Sequence, residues 1–253
     1  MLRHAPLLAI LVLTGPIACG LLATLLPAFG FFPALGGNDI TTKHFSDLFS
    51  QPGILRSAFI SLSAGPVTTL VSLVLVLAFF AAWSGTHTFA RVQRLVSPLL
   101  SIPHAAAAFG IAFMIAPSGW IMRLLSPEIT GMVRPPDWQI LNDPYGLSMM
   151  LALIAKEVPF LFLVTLAAMP QAKPVAHSRL ATSLGYGRMA GFVHSVWPQV
   201  YPQIRLAIFA VIAYASSVVD VALILGPTNP APLAIRLVEW MGDPDLSKRF
   251  LAS

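Results

Sequence analysis

The sequence predicts an all-α integral membrane protein. Of its 253 residues, 57% are apolar and only 10% are charged. A soluble domain carries roughly 25% charged residues, so a water-facing surface cannot be built from so few. Five apolar stretches, 7–28, 58–82, 97–117, 147–169 and 206–225, reach the length of about 20 residues that a helix needs to cross a bilayer. None shows the alternation of a membrane β-barrel. Pro16, Pro66, Pro103 and Pro159 interrupt four of them, which membrane helices tolerate because neighbouring groups re-satisfy the freed backbone.

The first stretch raises the question of a removable signal. "LTGPIACG" places Cys19 after small residues, but apolar sequence continues from Leu21 to Leu26, past any cleavage point, so an anchoring span is expected. Cys19 is the sole cysteine. An intrachain disulfide is therefore impossible, and a small apolar packing role suffices for it.

The net charge of +5 requires no nucleic acid, because the charges are distributed by side. Segments 1–6, 83–96 and 170–205 hold Arg3, Arg91, Arg94, Lys173, Arg179, Arg188 and Arg205 without an acid. The other side holds Lys43, Arg56, Arg123, Arg134, Arg236, Lys248 and Arg249 with eight acids. The basic residues number seven on each side, but the first set is denser, and setting aside the C-terminal tail makes it seven to four. Orientation follows Lys and Arg rather than net charge, so the N-terminus and the first set are expected in the cytoplasm, where they also meet anionic lipid.

Five spans starting inside end outside. Residues 29–57 are then an outer loop, with "HFSDLFSQPG" as a short helix before the second span. Residues 118–146 form a second, turn-rich outer loop ("SPE", "RPPDW", "NDPYG"). The outer tail 226–253 carries "LAIRLVEWM", too short to span and read as an interfacial helix.

Between the fourth and fifth spans lies "SRLATSLGYGRMAGFVHSVWPQVYPQI", residues 178–204. Leu180 and Leu184 share one face of a short helix, and Gly185 and Gly187 end it. A second helix is expected over "RMAGFVHSVW", with Met189, Phe192, Val193 and Val196 on one side, before Pro198 and Pro202 punctuate the entry to the fifth span. The product is a cytoplasmic helix–Gly–helix hairpin whose apolar knobs face outward or toward another protein.

This loop resembles the EAA loop of permease subunits in binding-protein-dependent ABC importers: Glu-Ala-Ala, three residues, Gly, nine residues, Ile, one residue, Leu-Pro. Ala181, Gly185 and Pro198 match, while Arg179, Leu180, Ser195 and Trp197 depart. "SPLLSIPHAAAAFGIAFMIAPSGW", "KEVPFLF" and "SSVVDVALILGPTNPAPLAIRL" extend the resemblance over nearly the whole chain. It looks most like the first half of a double-length permease related to thiamine and iron(III) importers. The resemblance implies a type I importer bundle and a coupling helix formed by Arg179, Leu180, Ala181, Leu184, Gly185 and Pro198. It implies as partners a cytoplasmic ATPase, which would bind ATP and Mg, and a periplasmic or extracellular solute-binding protein. A second permease half (fused, split or homodimeric) and the lipid bilayer complete the set. A guanidinium at Arg179 in place of the carboxylate suits an acidic partner or phospholipid. In the family a sixth span follows the outer segment. This chain ends where that span would begin, which fits a truncated reading frame, a fragment of a fused permease or half of a split one. Alone, it is expected to be inactive.

Charges inside spans are costly, about 2.5–3.5 kcal/mol each at a helix centre, so Lys156, Glu157 and Asp220 are expected to face the bundle interior, water or each other. They serve either a solute path or a structural ion pair. Lys156 and Glu157 point about 100° apart on one helix; a Lys156–Asp220 pair across helices is one arrangement, with another partner for Glu157. His104 is expected to be buried and hydrogen-bonded, and "AAAAFG" offers small residues for close helix packing.

A membrane-embedded enzyme is the rival class. The six histidines include no His-Glu-x-x-His metal motif, and Ser101 three residues before His104 is a chance-level nucleophile–base pair. With no Gly-x-x-x-x-Gly-Lys loop, ATP binding by this chain is not expected. Catalytic residues, metal ligands and a resident cofactor are expected to be absent. A non-transporting assembly protein, the other rival, has no use for a Gly-hinged hairpin at this position.

Overall fold

The computed structural model describes residues 5–172 and 174–253; Arg3 and Lys173, two cations of the set expected in the cytoplasm, lie outside them. Among the described residues, twelve α-helices follow in chain order: α1 (Ala5–Ala28), α2 (Lys43–Ser50), α3 (Ile54–Trp83), α4 (His87–Leu99), α5 (His104–Ile115), α6 (Trp120–Leu125), α7 (Leu147–Ala168), α8 (Pro174–Ser183), α9 (Arg188–Gly191), α10 (Trp197–Ser217), α11 (Asp220–Leu225) and α12 (Leu233–Gly242). Among the described residues, five helical segments are long and apolar enough to cross a membrane: Pro6–Ala28, Ile54–Trp83, His104–Leu125, Leu147–Ala168 and Arg188–Ser217.

The chain divides into two compact units, residues 1–58 with 233–253, and residues 59–232. In the smaller unit, α1 exposes apolar side chains from Leu7 to Leu26. The His44 ring stacks on Phe250 at 4.6 Å. Arg236 Nη1 donates to the Pro52 carbonyl at 2.9 Å while its guanidinium covers the Trp240 ring. The segments read as outer loop 29–57 and outer tail thus pack on each other, and "LAIRLVEWM" is helical as expected.

The larger unit is built on α7, which packs against α4, α5, α10 and α11. Phe80 of α3, Phe89 of α4 and Phe162 of α7 meet with ring centroids 5.0–5.7 Å apart. They head an apolar core that continues through Val196, Val200 and Ile204. Gly65 lets α3 approach α10: a Cβ there would collide with the Ile212 carbonyl and the Ser216 hydroxyl. Small residues permit such contacts where lipid gives helices no hydrophobic reason to associate.

Two expected spans are redrawn. The stretch 97–117 is broken: α4 ends at Leu99 and α5 begins at His104, because Pro103 bars its predecessor from helical geometry. The stretch 206–225 is also broken. α10 starts earlier, at Trp197, and ends at Ser217; α11 resumes at Asp220.

Candidate functional site

The loop between α7 and α10 folds as a hairpin of short helices. α8 ends in a Schellman turn: Tyr186 N–H donates to Ala181 O and Gly185 N–H to Thr182 O, both at 3.0 Å. Gly185 takes the left-handed conformation that this closure demands (φ +83°). Ala181 is 5% exposed, pressed against α9 so closely that a Cβ on Gly191 would sit 3.1 Å from its own. Leu180 and Leu184, 57% and 68% exposed, face away from the bundle, and Tyr186, Met189 and Val193 add to the exposed apolar surface. Arg179 is exposed on α8.

The second helix of the hairpin differs from its expectation. Met189, Phe192, Val193 and Val196 do not share one side: Phe192 and Val196 enter the core, while Met189 and Val193 stay exposed. Residues 192–196 form a π-helical turn, closed by Trp197 N–H donating to Phe192 O. Pro198, at the start of α10, supplies no N–H to continue α-helical bonding from this turn. Ser195 lies 2.6 Å from Gly191 O and 3.3 Å from His177 O, tying the turn to α8. At the base of the hairpin Arg188 donates from Nε to Ala81 O at 2.9 Å and from Nη2 to Ser84 O, so a cation caps the carbonyl end of α3.

The intramembrane charges do not pair as Lys156 with Asp220. Lys156, 6% exposed, donates to Leu99 O at 2.9 Å and Ile102 O at 2.7 Å. It caps the carbonyl end of α4. Glu157, 5% exposed, lies 3.3 Å from Nε2 of His104, the first residue of α5. Adjacent residues of α7 thus hold both sides of the α4–α5 break. The cation meets a helix C-terminus and the anion a helix N-terminus, as the macrodipoles favour. His104 is hydrogen-bonded, as expected, but about a third exposed, and its ring lies 4.8 Å from that of Tyr214. These groups border a cavity of about 230 Å³. Asp220 is exposed at the start of α11.

One polar anchor escaped the sequence reading. In "NDPYG", Asp143 accepts from the backbone N–H of Tyr145, Leu147 and Ser148 at 2.9–3.1 Å. Its neighbour Asn142 donates to Gly226 O at 2.8 Å. Burial pushes the Asp143 carboxyl up, but the hydrogen bonds from Ser148, Leu147 and Tyr145 outweigh it and hold the group below its ordinary range. The signal was present: an Asp ahead of an apolar run is a helix-start residue.

Broken helices, basic helix-end caps and an exposed glycine-hinged hairpin belong to a polytopic α-helical bundle with five segments apolar and long enough to cross a membrane. No protein-family model matches the chain. Over 211 residues it is 28% identical to the "Inner membrane ABC transporter permease protein YnjC" of Escherichia coli (strain K12), covering 83% of this chain and 39% of that protein. The chain thus spans about two-fifths of the length of the curated relative it matches. Among solved structures it resembles a chain of a bacterial ABC transporter involved in the import of the acidic polysaccharide alginate. The TM-score is 0.65 at 19% identity, covering 98% of this chain and 91% of that one. That likeness establishes the fold alone, an all-α bundle like that of the matched chain.

Proposed function

We propose that this protein is a transmembrane permease subunit, or half of one, of an ABC importer in a bacterial inner membrane. It forms part of a solute path and couples to a cytoplasmic ATPase through its hairpin. The observation that carries the reading is the hairpin itself. Gly185 closes it, Ala181 and Gly191 pack its two arms, and Leu180 and Leu184 stand exposed as anchors for a partner's pocket. The likeness to a permease and to an importer chain supports it. ATP and Mg belong to the ATPase, and a solute-binding protein delivers the cargo. That the chain spans only 39% of the relative's length supports a second permease half; the relation to thiamine and iron(III) importers rests on the sequence resemblance alone. Lys156 and Glu157 act in this scheme as the joint of a broken span beside the path, and Asp220 opens a second broken element. N-terminal and hairpin segments face the cytoplasm.

Crosslinking tests the reading. With Cys19 replaced by Ser, a Leu184→Cys variant co-expressed with candidate ATPases encoded nearby should form an ATP-sensitive crosslink to one of them. Ala181 is too buried to serve as the probe. A well-inserted Leu184→Cys protein that crosslinks to no ATPase would reduce the hairpin to an interfacial connector.

A further inference from the structure

A cleft of about 890 Å³ opens beneath the hairpin. Its lining is mostly apolar, with Phe89 and Leu166 partly exposed and Phe80 and Phe192 buried behind them, and it includes Arg179, Arg188 and Ser183, with no acid among the described lining residues. Its depth is set by the spans it touches. Phe80 and Ala81 are in the last turn of one crossing segment, which ends at Trp83, and Leu166 is in the last turn of another, which ends at Ala168. The cleft therefore lies where hydrocarbon gives way to headgroups. Arg188 is held in place by its bonds to Ala81 O and Ser84 O, which use two of its five N–H donors.

The geometry points to a bound anionic phospholipid. Its phosphate meets Arg179 and Arg188, and an acyl chain lies along the partly exposed Phe89 and Leu166. A soluble anion would leave the exposed apolar surface of Phe89 and Leu166 uncovered, and a zwitterionic lipid would leave the excess positive charge of Arg179 and Arg188 unmatched. Juxtamembrane Arg and Lys attract anionic lipid in this way. The departure at Arg179 then has a role of its own: α8 carries a headgroup ligand at a position where the EAA pattern has an acid.

The assignment is tested on the full chain purified in mild detergent, without any ATPase, so its outcome is independent of the coupling reading. Native mass spectrometry would compare retention of phosphatidylglycerol with that of phosphatidylcholine, for the unmodified chain and for Arg179→Gln. Arg179 is exposed and outside the core, so its variant should fold. Phosphatidylglycerol should be retained about 25-fold over phosphatidylcholine, each of the two juxtamembrane cations contributing about fivefold, and Arg179→Gln should cut that preference about fivefold. Equal retention of the two lipids overturns the proposal, and so does a preference that Arg179→Gln leaves intact. Displacement of the lipid by millimolar inorganic phosphate would mark a free-anion site and overturn it as well.

Discussion

Lys156 is a charge whose neighbours explain its presence in an apolar helix. Its ammonium replaces the water that the carbonyls of Leu99 and Ile102 would otherwise need. Lys156→Met should therefore cost about 3 kcal/mol, since it strands the two part-buried carbonyls it caps and leaves Glu157 without its adjacent cation. Thermal unfolding in detergent would show it. Glu157→Gln should cost less, about 1 kcal/mol, because an amide still accepts from His104. Comparable losses from the two variants would contradict the capping role. Asp143 gives a pH-dependent case. Its carboxyl is held low in the folded protein, so the stability it contributes is fully present above its unfolded value near 4. That contribution fades as pH falls through the lower folded value. Asp143→Asn should lower stability at pH 7, with the gap from the unmodified protein closing below about pH 4. A gap that persists at pH 2 would mean that the carboxylate charge is not what holds the cap.

At the scale of elements, the hairpin was the most legible feature. The four-residue spacing of Leu180 and Leu184 and the glycine after them are local signals, and the helix and its Schellman turn follow from them. The breaks were harder to read. Hydropathy summed over a window passes through Leu99–Pro103 without registering that the backbone there has lost its helical partners. Only the pair of prolines and the charged residues 54 or more positions away mark it, and that link exists only once α7 has packed. The same physics defeated the expected Lys156–Asp220 pair. A lysine surrounded by unsatisfied carbonyls needs no carboxylate, and α10 ends before Asp220, which places that side chain on the exposed side of a new helix. Gly185 supports a direct test. Ala in the left-handed region costs about 1 kcal/mol, so Gly185→Ala should raise hydrogen exchange across 180–191 while leaving α7 protected. Gly185→Asn, better tolerated there, should fall between the two. Uniform exchange changes over the whole unit would instead show that the turn is coupled to the core.

For the whole molecule, the question is which ends of the helices share a side. Within the larger unit, Arg188 joins the hairpin to the end of α3, and Asn142 joins the start of α7 to the segment after α11. The crossing segments His104–Leu125, Leu147–Ala168 and Arg188–Ser217 separate four loop positions in alternation. Single cysteines placed in a Cys19→Ser background at His87, Val133, Leu184 and Thr228 therefore make a complete test. A membrane-impermeant maleimide applied to right-side-out vesicles should label Val133→Cys and Thr228→Cys, and spare His87→Cys and Leu184→Cys until the vesicles are opened. The density of Arg around the hairpin predicts that sparing, because Lys and Arg are retained on the cytoplasmic side. Labelling in the reverse sense would keep the bundle but invert it, moving the hairpin away from any cytoplasmic ATPase and ending the coupling reading. Labelling of Val133→Cys and Leu184→Cys from the same side would mean that Leu147–Ala168 does not cross. That outcome is in conflict with the buried Lys156 cap, which needs α7 in the interior of the bundle beside the broken span it holds.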